Sequence, residues 1–209
     1  READARATAA TSTSNIEWLE VSGTINSAVA INADYWGGIS NVRFTGTNTA
    51  GVVTNLVSGA EIEFDGAAGG TTLTLKDANG TNDTINLDLD GAGVTYNVTA
   101  ANVETINVDA NGATGTSLLA LTAAQLKTLD INSTSDEAFN TGTLGTVVST
   151  VDASGFAAAT VTNGVTVTLS TSAVNGATIT GSGNDDTLNG SSQNDTINGG
   201  LGVDTIDAL

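Results

Sequence analysis

Three aspartates near the end of the chain are the residues best suited to chemistry: Asp186, Asp195 and Asp204, spaced nine residues apart. Each ends a turn rich in Gly, Asn and Ser, and each is followed by Thr and one large apolar residue. Calcium takes about six to eight oxygen ligands in irregular geometry, so carboxylates combined with turn carbonyl oxygens suit it. The pattern therefore predicts a calcium site built from turns.

Tandem nonapeptides carry these aspartates: Gly181–Asn189, Gly190–Asn198 and Gly199–Asp207. They approximate the repeat G-G-x-G-x-D-x-U-x of the calcium-binding parallel β-roll, in which U is a large apolar residue. One coil of such a roll uses two nonapeptides, so Asp186 and Asp204, 18 residues apart, should stack on one edge. That edge is predicted to hold one complete site, whereas the Asp195 edge lacks a matching turn further along the chain.

The nonapeptides resemble the repeats-in-toxin (RTX) family, whose members leave Gram-negative cells by type I secretion and fold on meeting extracellular calcium. Two upstream segments, Val94–Ala110 and Leu121–Ser133, resemble parts of RTX-type surface-layer (S-layer) and large adhesin-like proteins. The resemblance implies a secreted protein on the cell surface of a Gram-negative bacterium. It places the calcium-liganding turns at Gly181, Gly183, Asn184, Asp186, Gly199, Gly200, Gly202 and Asp204, with Asp195 as the candidate on the opposite edge.

A weaker metal candidate lies in the middle of the chain, where Asp77, Asn79 and Asp83 surround a turn at Gly80. The segment ends in the same Asn-Asp-Thr-Ile-Asn sequence as residues 194–198. It resembles the start of an EF-hand loop only loosely, because the bidentate Glu at the end of that loop is missing. The alternative is an Asx-turn between two strands, with no metal.

Composition restricts the function. The chain of 209 residues has a formal net charge of −18, from 23 acidic and 5 basic residues, which disfavours nucleic acid and anionic lipid and attracts divalent cations. It contains no His and no Cys, which excludes Ser–His and Cys–His nucleophiles and disulfides. A carboxylate pair could still hydrolyse glycosides, but the basic and aromatic residues that hold sugars are scarce. We therefore expect no enzyme, no nucleic-acid partner and no membrane insertion.

A slower repeat, apolar-x-x-apolar-x-apolar, precedes the nonapeptides at spacings of 23, 20, 23, 21, 23 and 22 residues. Its copies begin at Ile16, Ile39, Val103, Leu126 and Val148, with two weaker copies at Gly59 and Asn82 whose first positions are not apolar. Most units contain a second alternating strand, so each offers two short strands joined by Gly- and Asn-rich turns. A period of this length predicts an all-β fold, a β-solenoid or parallel β-helix-like stack that ends in an RTX β-roll. The alternative is a β-sandwich followed by the roll.

The predicted organisation has three parts: a linker or N-terminal extension at residues 1–14, a repetitive solenoid-like domain at 15–180, and an incomplete calcium-binding roll at 181–209. The aromatic residues concentrate at Tyr35 and Trp36, which form a group with Asp34. This group is either a patch that contacts sugar or another subunit, or part of the core, and burial is the commoner fate of large aromatic side chains.

These features favour a structural, self-assembling S-layer segment that folds and assembles with extracellular Ca²⁺. Its expected partners are lattice or filament neighbours held by calcium-dependent contacts, and a cell-surface polysaccharide is the other partner considered. One alternative is a calcium-stabilised segment of a secreted RTX adhesin, and another is an accessory domain of a secreted hydrolase. The expected mechanism is metal-coupled folding, in which calcium neutralises aspartates that otherwise repel one another.

Overall fold

The computed structural model describes residues 18–23, 29–37, 39–48 and 50–209. The predicted N-terminal extension, residues 1–14, lies outside the described residues. Within them the chain forms 18 β-strands and one short 3-10 helix. None of these segments is a helix with the length and hydropathy that a membrane crossing needs.

Two sheets of nine strands each contain all the described strands, and successive strands belong to alternate sheets. The first sheet contains β1 (Trp18–Val21), β3 (Asn41–Phe44), β5 (Ala60–Phe64), β7 (Thr84–Leu89), β9 (Thr105–Ala110), β11 (Thr128–Ser133), β13 (Thr150–Phe156), β15 (Thr178–Thr180) and β17 (Thr196–Asn198). The second sheet contains β2 (Val29–Asn32), β4 (Gly51–Leu56), β6 (Ala68–Leu75), β8 (Thr95–Thr99), β10 (Thr114–Thr122), β12 (Asp136–Thr143), β14 (Val165–Thr168), β16 (Thr187–Asn189) and β18 (Thr205–Asp207). The 3-10 helix η1 (Ala33–Trp36) follows β2 directly.

The described strand pairings are parallel, and each strand pairs with the strands two before and two after it. A chain that alternates between two sheets in this way winds in coils, and each coil contributes one strand to each sheet. A β-sandwich made of hairpins would pair consecutive strands in antiparallel fashion. The β-solenoid prediction is therefore confirmed, and the β-sandwich alternative is wrong.

The middle apolar residue of the repeat pairs as predicted between successive described coils, except in one pair of coils. Ile85 pairs with Ile106, and Val42 pairs with Ile62, at the offsets that the repeat predicts. Ile62, however, pairs with Leu87 and not with the predicted Ile85. The turn before β7 contains two more residues than the repeat allows. A shift of two residues leaves every side chain on its original face, so the apolar pattern could not detect it.

Alternation along the strands places apolar side chains inside the coils. In β7, Ile85, Leu87 and Leu89 are buried, and the residues between them lie on the outer face. Aromatic side chains fill part of this core, where the rings of Phe44 and Phe64 stack with their centroids 5.3 Å apart. The core therefore runs between the two sheets along the stack.

Threonines open most strands of the first sheet and form a continuous row on its outer face: Thr84, Thr105, Thr128, Thr150, Thr178 and Thr196. Each residue of this row pairs with the next, which suits β-branched side chains on neighbouring strands. In either sheet, we call the residue immediately before a threonine that opens a strand, at the end of a turn, the pre-strand position. These positions lie above one another along the edge of the sheet.

Candidate metal centre

The three nonapeptide aspartates all occupy pre-strand positions: Asp186 before β16, Asp195 before β17 and Asp204 before β18. Thr187 pairs with Thr205, which stacks Asp186 and Asp204 on the edge of the second sheet. The backbone N–H of Asp186 donates to Oδ1 of Asp204 over 3.1 Å. Asp195 lies on the edge of the first sheet, so the 18-residue coil deduced from the spacing matches the geometry.

The carboxylate of Asp186 is enclosed by the turn that precedes it, and only 2 % of the residue is exposed. Its Oδ2 accepts a hydrogen bond from the N–H of Ser182 over 2.6 Å. Its Oδ1 accepts from the Ser182 hydroxyl and from the N–H of Val165, both over 2.8 Å. Burial raises the pKa of Asp186, these hydrogen bonds oppose the shift, and the charge of Asp204 adds to it. A cation beside this carboxylate would therefore favour its ionised form.

Backbone carbonyl oxygens line the narrow space between these two stacked turns. A Cβ on Gly200 would clash with the carbonyl oxygen of Ser182, and a Cβ on Gly202 would lie 2.5 Å from that of Asn184. Both glycines have positive φ, 96° and 109°, a conformation that residues with a Cβ rarely adopt. Carboxylate and carbonyl oxygens thus converge between the turns, which is the donor set that calcium prefers.

The side chain of Asn184 is engaged with the preceding coil. Its Nδ2 donates to the carbonyl oxygens of Ala158 over 2.9 Å and of Thr160 over 3.0 Å, and the residue is buried. This side chain therefore ties the turn of the first nonapeptide to the solenoid beneath it. The sequence pattern had placed Asn184 only among the liganding turn residues.

The first glycine of each nonapeptide lies beneath the carboxylate of its own aspartate. A Cβ on Gly181 would lie 2.5 Å from Oδ2 of Asp186. A corresponding close approach recurs in the other two repeats, between Gly190 and Asp195 and between Gly199 and Asp204. These three glycines do not have positive φ, so the structure requires them for space and not for an unusual backbone conformation.

We expect Gly181→Ala to destabilise the terminal coils, because its Cβ would also clash with the backbone carbonyl oxygen of Gly199, which cannot rotate away. Overpacking of this kind costs about 1–3 kcal/mol. Gly183→Ala is the matched control in the same turn, because a Cβ there would meet no described heavy atom within 4 Å. Urea unfolding in calcium measures both free energies of unfolding, and equal losses in the two variants would contradict the prediction.

Asp195 lies on the other edge and contacts the preceding coil. Its carboxylate accepts hydrogen bonds from the N–H of Ala177 over 2.7 Å and from the N–H of Ser191 over 2.6 Å. Burial alone would raise the pKa of Asp195, but the hydrogen bonds outweigh burial and hold the pKa below its ordinary value. Ala177 occupies the pre-strand position one coil earlier. The two described turns stacked here therefore offer a single carboxylate.

The weaker candidate set of Asp77, Asn79 and Asp83 divides into two parts in the structure. Asp77 and Asn79 are exposed, and the N–H and Nδ2 of Asn79 donate to Oδ1 of Asp77 over 3.3 and 3.2 Å. This is the Asx-turn that the sequence allowed as an alternative. Asp83 is buried, and its backbone N–H donates instead to the side chain of Glu104 on the next coil.

Asp34, Tyr35 and Trp36 lie in the 3-10 helix η1. Trp36 packs against the core, whereas Tyr35 is 63 % exposed. The carboxylate of Asp34 lies 2.8 Å from Nζ of Lys76 in an exposed ion pair. The interpretation as core filling therefore fits Trp36, and Tyr35 remains available for contact.

Sequence reasoning missed a cluster of three carboxylates, Glu63, Asp65 and Asp90, whose oxygens lie within 4.8 Å of one another. Arg43 pairs with two of them, at 3.0 Å from Glu63 and 3.1 Å from Asp65. Burial raises the pKa of Glu63 to about 7 even though Arg43 opposes the shift. Burial also raises the pKa of Asp88, which pairs with Glu63 in register, to about 6. That pairing depends on the two-residue shift before β7, which concealed it in the sequence.

In the presence of EGTA, the melting temperature should rise as the pH falls from about 8 to about 5. In the folded chain Glu63 has a pKa of about 7 and Asp88 a pKa of about 6, above their ordinary pKa values of 4.5 and 3.8. Both groups therefore bind protons more tightly in the folded chain than in the unfolded chain. Their contribution to stability is therefore complete at low pH and is lost as the pH rises through about 6 to 7. About 1 kcal/mol corresponds to roughly 2–4 °C in a chain of this size.

Differential scanning calorimetry at constant ionic strength tests this pH dependence. Glu63→Gln removes one of the two titrating groups and should flatten the profile. A melting temperature of the parent chain that falls steadily between about pH 8 and pH 5 would contradict the assignment.

Fold and turns together define a class of protein: a parallel β-solenoid whose last coils bring carboxylates and carbonyl oxygens together between stacked turns. Residues 177–208 match the family model of the RTX calcium-binding nonapeptide repeat (4 copies). No curated protein and no solved structure matches the chain. The last coils are therefore RTX repeats, their cofactor is calcium, and proteins that carry such repeats are typically secreted and extracellular.

The matched region begins at Ala177, before the three nonapeptides that the sequence pattern identified. In the structure, Ala177 and β15 form a further turn-and-strand unit that stacks beneath Asp195 and β17. Ala stands there in place of the repeat's aspartate, which explains why a search for Asp-Thr pairs did not find this unit.

Proposed function

We propose that this chain is a structural segment of a secreted, RTX-type S-layer protein of a Gram-negative bacterium, and that it assembles with its neighbours on meeting extracellular calcium. One observation carries the proposal: both sheets continue without interruption from the solenoid body into the calcium-binding coils. In the first sheet β13 pairs with β15 and β15 with β17, and in the second β14 pairs with β16 and β16 with β18. The proposal includes no catalytic role.

Continuity of the sheets matters because the coils of a solenoid stabilise one another through nearest-neighbour contacts. An ion that binds only the folded state adds its binding free energy to folding. Where calcium is scarce, burial and the charge of Asp204 both disfavour the ionised carboxylate of Asp186, and its hydrogen bonds offset them only in part. Where calcium is abundant, the terminal coils become ordered and extend the β-solenoid. Calcium would therefore control the length and rigidity of the assembling unit.

The last coil offers a surface suited to association. Leu201, Val203 and Ile206 are 76 %, 80 % and 48 % exposed. They accompany β18, which pairs with β16 alone among the described strands. A further coil, from the same polypeptide or from a neighbouring molecule, would cover these side chains and pair with this strand.

A calcium-stabilised segment of a secreted adhesin is the second candidate. The observation that favours it is the exposure of Tyr35, because tyrosine presents an apolar ring and a polar hydroxyl that suit contact with a sugar or a protein. In this alternative the solenoid displays the ligand-binding residue, and calcium provides rigidity.

Electron microscopy of the purified chain, in calcium and in EGTA, tests the proposal. We expect ordered sheets or filaments in calcium and dispersed particles in EGTA. The double variant Asp186→Asn/Asp204→Asn should fail to assemble even in calcium, whereas Tyr35→Ala should assemble normally. Monomers in both conditions would contradict the S-layer proposal. If those monomers also bound glycans, and Tyr35→Ala abolished that binding, the adhesin would be favoured.

A further inference from the structure

Asp83 is a buried acid in the solenoid body, outside the nonapeptide repeats. Only 8 % of the residue is exposed, and its Oδ2 has no hydrogen-bond partner among the described residues. Buried carboxylate oxygens are normally hydrogen-bonded or paired with positive charge, because leaving one without either is costly. A Cβ on Gly80 would lie 2.6 Å from this oxygen, so the oxygen points into the turn that precedes β7.

A second buried acid, Glu104, is stacked on Asp83. Thr84 pairs with Thr105, so both acids occupy pre-strand positions on successive coils. The backbone N–H of Asp83 donates to Oε2 of Glu104 over 3.0 Å, and Glu104 is also 8 % exposed. The carboxylate of Glu104 thus lies against the backbone of Asp83, and both acids are removed from bulk water.

This arrangement repeats the geometry of the terminal calcium-binding coils. There, the N–H of Asp186 donates to the carboxylate of Asp204, the pre-strand acid one coil later, over 3.1 Å. In both places the backbone N–H of one acid donates a hydrogen bond to the carboxylate of the acid one coil later. In both places the carboxylate of the first acid lies in the turn that precedes its own strand. One pair lies on the first-sheet edge and the other on the second-sheet edge.

Basic side chains of the described region do not neutralise this pair. Lys127 holds the pre-strand position on the coil after Glu104, but it is exposed and forms no ion pair with a described carboxylate. The described ion pairs involve Arg43 and Lys76 instead. The Asp83–Glu104 pair therefore has no basic partner among the described residues, and Oδ2 of Asp83 has no hydrogen-bond partner there.

We propose that Asp83 and Glu104 bind a further calcium ion between the turn that precedes β7 and the turn that precedes β9. Carboxylate oxygens are hard ligands, which suit this ion. The site lies outside residues 177–208, which match the calcium-binding repeat. Asp77 and Asn79, which bond to each other, are not needed as ligands. Calcium would then stabilise the solenoid body as well as its last coils, whether or not the chain forms an array.

Equilibrium dialysis against calcium alone, with the full chain, tests the site by counting bound ions. We expect Asp83→Asn and Glu104→Gln each to lose one equivalent of calcium relative to the parent chain. In a background of Asp186→Asn/Asp204→Asn the same loss should remain. Asp109→Asn is the control, because Asp109 lies exposed on the outer face of β9 and should retain every equivalent. An unchanged count in both Asp83→Asn and Glu104→Gln would overturn the proposal.

Thermal melting separates a ligand from a residue with a purely structural role. In EGTA, Asp83→Asn should melt at or above the temperature of the parent chain, because an uncompensated buried charge is removed. In calcium, the same variant should melt several degrees below the parent chain, because it lacks the ion. A lower melting temperature in both conditions would overturn the proposal. Glu104→Gln keeps an oxygen that can accept from the N–H of Asp83, so it repeats the test with less disturbance.

Discussion

Removal of calcium should lower the melting temperature of this chain by roughly 5–10 °C for each site that is lost, and the nonapeptide coils should unfold first. A ligand at 100 times its Kd adds about 2.7 kcal/mol to stability, and about 1 kcal/mol corresponds to roughly 2–4 °C for a chain of this size. The terminal coils are the most sensitive because their strands contain only three residues each, as in β16, β17 and β18. They bury little apolar area and depend on the ion.

The structure provides the physical reason for this dependence. Asp186 is buried and carries a raised pKa because burial penalises its charge, and Asp204 is stacked on it. Without calcium, an unfavourable charge must therefore be buried whenever the coil folds. As calcium ligands, the same carboxylates would be compensated, and folding would gain the binding free energy.

Replacing both acids by amides, Asp186→Asn/Asp204→Asn, should remove most of the calcium effect on this edge. The double variant should melt at nearly the same temperature in calcium and in EGTA for the transition that reports on the last coils. The control is Asp34→Asn, which loses only an exposed ion pair with Lys76. Such pairs contribute about 0–1 kcal/mol. Circular dichroism melts and limited proteolysis of the C-terminal coils measure the outcome, and a calcium response that persists in the double variant would contradict the assignment.

The parallel stacking of the coils could be predicted from the sequence because the spacing of the repeated residues equals the length of a coil. Nine-residue spacing of Asp186, Asp195 and Asp204 specifies alternate edges of a two-sheet roll, and the geometry matches. Longer repeats upstream fixed the register of most coils, since each unit contributes the same apolar positions. Register was misjudged only where the turn before β7 contains two additional residues, because the side-chain pattern of a strand repeats every two residues.

The side-chain contacts between coils could not be predicted from the sequence in the same way. Asp83 was a candidate ligand in the sequence, but its partner Glu104, 21 residues later, looks like an ordinary surface acid there. Their burial depends on which turn folds over them, and a turn of variable length carries no periodic signal. The role of Gly181 was similarly hidden, because the repeat places it only among the calcium-liganding turn residues, whereas the structure requires it as space for a carboxylate.

Phe64→Ala should lower the free energy of unfolding of the solenoid body by about 3–5 kcal/mol, the usual cost of removing a buried aromatic ring. Phe64 is fully buried on β5, and its ring stacks on Phe44 with an interplanar angle of 10°. The ring of Tyr96, from the second sheet, lies 6.1 Å away on the inner side. This trio links successive coils and both sheets, so its central ring has neighbours on several sides.

The cavity left by Phe64→Ala should stay open, because the coils cannot move closer together to fill it. Backbone hydrogen bonds in both sheets hold adjacent strands about 4.7–4.9 Å apart, and that spacing is the same at every coil whatever side chains lie inside. Tyr35→Ala is the control, since Tyr35 is an exposed aromatic residue whose loss should change stability by less than about 0.5 kcal/mol. Urea unfolding in EGTA isolates the solenoid body from the calcium effect. A loss below about 1 kcal/mol for Phe64→Ala would mean that the coils do relax around the cavity, and that the sheets do not impose the spacing of the core.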